Sequence, residues 1–106
     1  MKKISVFTVA MLSLSMLAAS GCSASTVDGK AKFDQHCAVC HPNGGNIIKK
    51  DKTLSKKAMA ARGIKTEKDV VAKMRNPGPG MNKFDAKTLP DKEATAIASY
   101  ILTTFK

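Results

Sequence analysis

Apolar side chains recur along this chain at helical rather than strand spacing. In the C-terminal stretch Ala94, Ile97, Ala98, Ile101, Leu102 and Phe105 stand at i, i+3, i+4, i+7, i+8 and i+11. On a helix these positions merge into one continuous apolar stripe. The spacing predicts a helix over 91–104, with Pro90 near its start. Val70, Val71 and Met74 give a shorter helix its buried face, and Thr66-Glu67-Lys68-Asp69 reads as the capping box that opens it. A further helix, capped by Thr53 or Ser55, is predicted through about Ala61 and ended by Arg62-Gly63. The first helix is predicted over Val27–His41, with Gly29, Phe33, Cys37 and Cys40 at helical spacing on one face. Pro42 stops it, ahead of the turn-forming Asn43-Gly44-Gly45-Asn46. Residues 47–53 form a lysine-rich loop. Asn76-Pro77-Gly78-Pro79-Gly80-Met81 is a stiff, non-helical loop, because proline fixes φ and glycine permits turns. No strand alternation or repeat interrupts this series, so the expected fold class is all-α.

Chemistry enters with Cys37-Ala38-Val39-Cys40-His41. C-x-x-C-H is the attachment signature of a c-type haem. On a helix the two cysteines lie at i and i+3 and the histidine at i+4, so all three share a face. Two thiols can then bond the two haem vinyl groups while the imidazole meets the iron from one side. Two other readings compete. A thioredoxin-like redox pair requires a βαβ context, and no parallel-strand pattern is visible. A structural zinc site takes four Cys or His ligands, whereas Cys37, Cys40 and His41 supply three and no second pair follows.

The N-terminal stretch is a targeting segment rather than a fold element. Lys2 and Lys3 precede an apolar run from Ile4 to Ala19, too short and too broken by Ser and Thr for a comfortable membrane span. It ends in Leu17-Ala18-Ala19-Ser20-Gly21-Cys22, which resembles a bacterial lipoprotein signal whose cysteine becomes the lipidated first residue. Ala19 in place of leucine makes a looser match. Lipidation of Cys22 would account for the third cysteine of the chain. Ordinary cleavage after Gly21 or Ala24, giving a soluble periplasmic protein, is the alternative. The domains expected are a signal peptide over 1–21, a lipid-anchored tether over 22–26 and a monohaem cytochrome c domain over 27–106.

The mature chain is too short to build a generous core alone. A covalently held haem c changes this, because it offers a large flat body on which short helices can pack. The formal net charge is +10. Without Lys2 and Lys3 sixteen basic and eight acidic side chains remain, a net +8, and two ionised propionates lower that to about +6. Such a surface suits acidic redox-partner proteins or anionic membrane surfaces. Nucleic acid fits poorly, since the chain is exported and its only arginines are Arg62 and Arg75. No small-molecule substrate is implied.

An electron-transfer haem with six-coordinate iron needs a second axial ligand. His36 directly precedes Cys37 and is tied to the same side as His41. Methionine is the alternative and, paired with histidine, raises the reduction potential. Met59, Met74 and Met81 follow the leader. Met59 and Met74 lie on apolar helix faces, where core packing is the simpler reading. Met81 follows a loop that can present its thioether with little loss of entropy, and it stands 40 residues after His41, enough chain to wrap round a haem edge. The expected metal ligands are therefore His41 and Met81. A haem peroxidase would need an open iron position and acid–base groups that no free histidine supplies, so no enzyme is expected. A gas or redox sensor with a displaceable Met81 is a separate reading, and a role in assembly or regulation of other cytochromes would show the same redox chemistry.

These residues resemble a family. Gly29-x-x-x-Phe33-x-x-x-Cys37 and Ile97-x-x-Tyr100 are similar to the paired first and last helices of class I cytochromes c, specifically the c6-like branch. Pro42-Asn43-Gly44-Gly45-Asn46-Ile47-Ile48 and Lys52-Thr53-Leu54 resemble its segment after the haem histidine, and Arg75-Asn76-Pro77-Gly78-Pro79-Gly80-Met81-Asn82-Lys83-Phe84 its methionine loop. The pattern is most similar to outer-membrane-associated monohaem lipoprotein cytochromes of metal-reducing bacteria. The resemblance runs from about Gly29 to the C-terminus. It implies a small helical bundle around one haem c with an exposed edge, close approach of two helices at Gly29, and the Pro42 carbonyl as partner of the His41 ring N–H. It also implies one-electron transfer in a cell-envelope electron-transport chain, with extracellular or metal respiration as one setting. Photosynthetic c6 proteins are soluble carriers, whereas a short lipid tether would restrict long-range shuttling. Lys49, Lys50, Lys52, Lys56, Lys57 and Lys83 are candidates for steering an acidic partner. If they do so, electron-exchange rates with such a partner are expected to fall as ionic strength rises, which stopped-flow kinetics over a salt series would measure.

Overall fold

The computed structural model describes residues 26–106. The proposed signal peptide, Cys22 and all of the tether but Thr26 lie outside the described residues. Among those described there are four α-helices and no strand: α1 (Gly29–His36), α2 (Lys56–Ala60), α3 (Glu67–Arg75) and α4 (Asp91–Thr104), with a 3₁₀ turn over Pro42–Gly44. None of these helices is long and apolar enough to cross a membrane.

Local signals explain where each helix starts. The Asp28 side chain accepts the Ala31 N–H at 3.1 Å and caps α1. Ser55 Oγ accepts the Ala58 N–H at 3.2 Å and caps α2. At α3 Thr66 Oγ1 accepts the Asp69 N–H, and the Asp69 carboxylate accepts the Lys65 and Thr66 N–H groups at 3.0 Å each. Those donors hold the Asp69 carboxyl below its ordinary pKa. This is the expected capping box, with aspartate in the place usually taken by Glu or Gln. The helix ends at Arg75, one residue past Met74, the last apolar residue of its predicted buried face.

The first helix is shorter than its apolar spacing predicts. It ends at His36, not His41. The Phe33 carbonyl takes two N–H groups, Cys37 at 2.8 Å and Ala38 at 3.0 Å, and the Cys37 carbonyl then takes those of Cys40 and His41 at 3.1 and 2.9 Å. Shared acceptors tighten the backbone into successive turns, and Pro42, which has no N–H, leads into the 3₁₀ turn. The C-x-x-C-H motif is therefore carried on a coiled exit from α1.

Helix α4 is the axis of the bundle, with α1 and α3 packed against it. Its stripe behaves as the spacing predicts: Ala94, Ile97, Ala98 and Ile101 are buried, and Leu102 and Phe105 are half-buried. Phe33 of α1 and Val70 and Met74 of α3 complete the opposing faces. Met59, Ile64 and Leu89 add three buried side chains from outside the main stripes. Gly29 sets the approach of α1 to α4. A Cβ built there would lie 2.1 Å from the Ala96 carbonyl oxygen and 3.2 Å from Tyr100 Cβ. Because the obstacle is backbone, no rotamer change relieves it. Gly29→Ala is expected to cost about 3 kcal/mol or more in chemical denaturation, although alanine alone would favour an isolated helix.

Candidate haem site

The exit from α1, the lysine-rich loop, α2, α3 and the loop after it enclose one cavity of about 380 Å³, within the range of cofactor sites. Cys37, Cys40, His41 and Met81 all line it. Its apolar wall is supplied by Leu54, Met59, Ile64, Val70, Met74 and Ile101. Four cations, Lys49, Lys52, Arg62 and Lys73, border it, and no carboxylate does. Met59 and Met74 are buried in the hydrophobic core as well as lining this wall, whereas Met81 is 37% exposed. His36, on the last turn of α1, also faces the cavity, with its ring edge-on to Phe84 at a centroid distance of 6.1 Å.

The geometry around His41 fixes its tautomer. Its Nδ1 lies 2.7 Å from the Gly45 carbonyl oxygen. A carbonyl only accepts, so Nδ1 carries the proton and Nε2 keeps its lone pair for a metal. The partner differs from the expected one: the Pro42 carbonyl instead accepts the Gly45 N–H at 2.9 Å. The tight 3₁₀ turn directs the Pro42 oxygen into its own closure, and the imidazole takes the carbonyl of Gly45 instead.

Cys37 is 8% exposed, and burial pushes its thiol up to about 11. A reactive redox dithiol needs the opposite shift, toward the thiolate at neutral pH. No group of three His, Cys, Asp or Glu side chains able to hold a metal ion occurs among the described residues, which removes support from the zinc reading. The residues present fit a haem instead. Two thiols and an oriented imidazole share a cavity with a thioether, the wall is apolar, and the charged border is wholly cationic, as two propionates would require.

The loop that carries Met81 is closed by contacts its sequence does not advertise. The Phe84 N–H donates to the Met74 carbonyl at 2.9 Å. The guanidinium of Arg75 donates to the Phe84 and Leu89 carbonyls at 3.0 and 2.8 Å and to Asp91 at 2.7 Å. One side chain thus ties the end of α3, the far end of the methionine loop and the start of α4. The Arg75 contacts reach 9 to 16 residues along the chain and no local spacing announces them, whereas the His41–Gly45 contact spans only four residues and depends on which way the 3₁₀ turn aims its carbonyls. Asn46 does more than turn the chain. Its side-chain oxygen accepts the Ile48 and Lys49 N–H groups and its amide donates to the Lys52 carbonyl, which shapes the lysine-rich loop at the cavity edge. A Gly-Asn pair before a lysine run was the available signal.

This combination of helices, attachment motif and methionine loop defines a class I c-type cytochrome. Comparison with known proteins agrees. The family model described as "Cytochrome C oxidase, cbb3-type, subunit III" matches residues 24–101. Cytochrome c6 of Thermosynechococcus vestitus is 33% identical over 104 residues, covering 96% of this chain and 92% of that protein. The structure of OmcF, the outer membrane cytochrome F of Geobacter sulfurreducens, is 44% identical with a TM-score of 0.72, over 74% of this chain and 99% of its own. Cytochrome c6C of a Synechococcus is 33% identical with a TM-score of 0.67, over 72% and 92% of the two chains. The chain belongs to the c6-like family of class I c-type cytochromes, whose members hold haem c covalently and transfer electrons with it.

Arg75→Ala is expected to lower stability by about 2–4 kcal/mol, because two backbone carbonyls lose a charged donor. The Asp91 ion pair contributes little of this, since that carboxylate is largely exposed. Arg75→Lys should fail to restore the loss, as one ammonium cannot reproduce the fork. Urea unfolding of the three proteins checks both statements.

Proposed function

We propose that this protein is a single-haem, one-electron carrier of the cell envelope, with the haem bound through Cys37 and Cys40 and its iron ligated by His41 and Met81. The observation that carries the reading is the convergence of these four side chains on one apolar cavity, with Nδ1 of His41 held by Gly45. When bound, the haem supplies a ferric/ferrous couple that changes by one electron. The chain's own residues do the rest. Gly45 keeps the His41 imidazole in one orientation. The closed loop between Met74 and Phe84 holds Met81 in place through both oxidation states, so few groups need to move. Leu54, Met59, Ile64, Val70, Met74 and Ile101 limit water.

Docking follows from the rim. Val39 is 77% and Ile48 55% exposed, and both border the cavity. Lys49 and Lys52 share that border, and they, with Lys50, Lys56, Lys57 and Lys83, have no carboxylate within ion-pair distance among the described residues. A small apolar rim within a cationic field suits brief encounters with an acidic redox protein. Transfer through an edge near Val39 and Ile48 requires neither a substrate pocket nor an acid–base pair, which supports a carrier over an enzyme. The name of the Geobacter relative, an outer membrane cytochrome, supports an envelope location, and a lipidated Cys22 would hold the domain at the outer membrane facing the periplasm.

The purified ferric holo-protein is expected to show a far-red methionine–iron charge-transfer band that resists cyanide or imidazole. Its absence, with fast ligand binding, would favour a sensor or weak peroxidase with displaceable Met81. Met81→Ala should give high-spin or ligand-exchangeable iron, and an unchanged low-spin spectrum would sink the assignment. Cys22→Ser is expected to move the protein from the membrane fraction to the soluble periplasm, as immunoblotting of fractions would record.

A further inference from the structure

Phe105 is the residue that follows α4, and its position is more specific than the end of a stripe. Its N–H donates to the Ile101 carbonyl at 3.1 Å, and its carbonyl accepts the N–H of Lys56, the first residue of α2, at 3.0 Å. Its ring sits 5.4 Å from that of Phe33 and 5.7 Å from that of Tyr100. The ring also lies against Gly44. A Cβ at Gly44 would come within 2.5, 2.6 and 2.9 Å of three Phe105 ring carbons.

Gly44 belongs to the turn that serves His41. It is buried, and its φ of +78° lies in the left-handed region that favours glycine. Asn43 before it is left-handed too, at +53°. The next residue, Gly45, offers the carbonyl that holds Nδ1 of His41. Two successive glycines have the widest backbone freedom of any pair, so the direction of that carbonyl needs external support. On one side the Leu54 N–H donates to the Gly44 carbonyl at 2.7 Å. On the other side stands the Phe105 ring.

The geometry points to Phe105 as a positioning residue for His41: its ring, seated on Gly44, fixes the turn whose Gly45 carbonyl orients the imidazole. The inference rests on the proposed role of His41 as iron ligand. Its consequence is electronic as well as structural. A well-aligned N–H···O=C bond at Nδ1 makes the imidazole a more basic ligand, and a more basic ligand favours ferric iron. Loss of the ring frees the glycines, weakens that bond and raises the reduction potential.

The test uses holo-protein of the full chain in four forms: wild type, Phe105→Ala, Phe105→Tyr and Tyr100→Leu. Reduction potential is measured by spectroelectrochemistry, and solvent exchange of the His41 ring N–H by proton NMR. Phe105→Ala is expected to shift the reduction equilibrium several-fold toward the ferrous form and to speed ring N–H exchange several-fold. Phe105→Tyr keeps a ring over Gly44 and restores both values. Tyr100→Leu removes an aromatic from the same cluster, lowers thermal stability and leaves both values at wild type. Unmoved values in Phe105→Ala, no restoration by tyrosine, or equal shifts in Tyr100→Leu would overturn the inference. If Phe105→Ala yields no folded holo-protein, Phe105→Leu carries the test with the same sign expected, and unmoved values overturn it there. A wild-type spectrum with no haem-shifted histidine ring N–H would instead remove His41 as ligand, which separates failure of the functional reading from failure of this one.

Discussion

The backbone contact between α1 and α4 at Gly29 and Ala96 is the constraint on which the rest of the structure depends. It brings two helices from opposite ends of the described chain to a separation that only a missing side chain allows. Once they are that close, Phe33 reaches Tyr100 and Phe105, and the exit of α1 is delivered beside Ile101. The attachment motif therefore faces the cavity because a distant residue has no Cβ. Helix α3 completes the enclosure from the other side of α4, and its last residue, Arg75, determines how the chain returns.

The cavity that results is bordered by opposites. Its wall is apolar and its charged edge carries cations without a counter-carboxylate. An apolar body bearing anionic groups satisfies both halves of this lining at once. A purely apolar ligand would leave the cations without partners, and a small anion would leave the wall unfilled. Membership of the c6-like family and the lining of the cavity thus lead independently to the same cofactor class.

Much of this was legible in the sequence, for identifiable reasons. The limits of α4 follow from a long apolar stripe, and the start of α3 from a capping box, both of them local signals. The end of α1 is not legible in the same way, because apolar spacing continues through Cys37 and Cys40 while the helical hydrogen bonds do not: the Phe33 carbonyl takes two donors and closes the helix early. Leu89 is fully buried yet belongs to no periodic pattern, since it arrives through a turn made by Asp85, whose carboxylate accepts the Lys87 and Thr88 N–H groups. The four expected site residues share a cavity, but of the groups that orient them Arg75 acts across 9 to 16 residues of chain, whereas Gly45 stands only four residues from His41. No spacing rule reaches across the Arg75 separations, and the Pro42 carbonyl was the wrong oxygen because the Gly45 N–H occupies it when the 3₁₀ turn closes.

The two halves of the cavity are held by networks with no common member. Gly44, Gly45, Leu54 and Phe105 secure the His41 side, whereas Arg75, Phe84 and the Met74 carbonyl secure the Met81 side. Such a division makes the domain modular in a chemical sense. A lineage could retune the His41 side by drift at its own supports and inherit the Met81 side unchanged. Damage would follow the same partition, with the methionine side able to come loose while the attachment side keeps its grip.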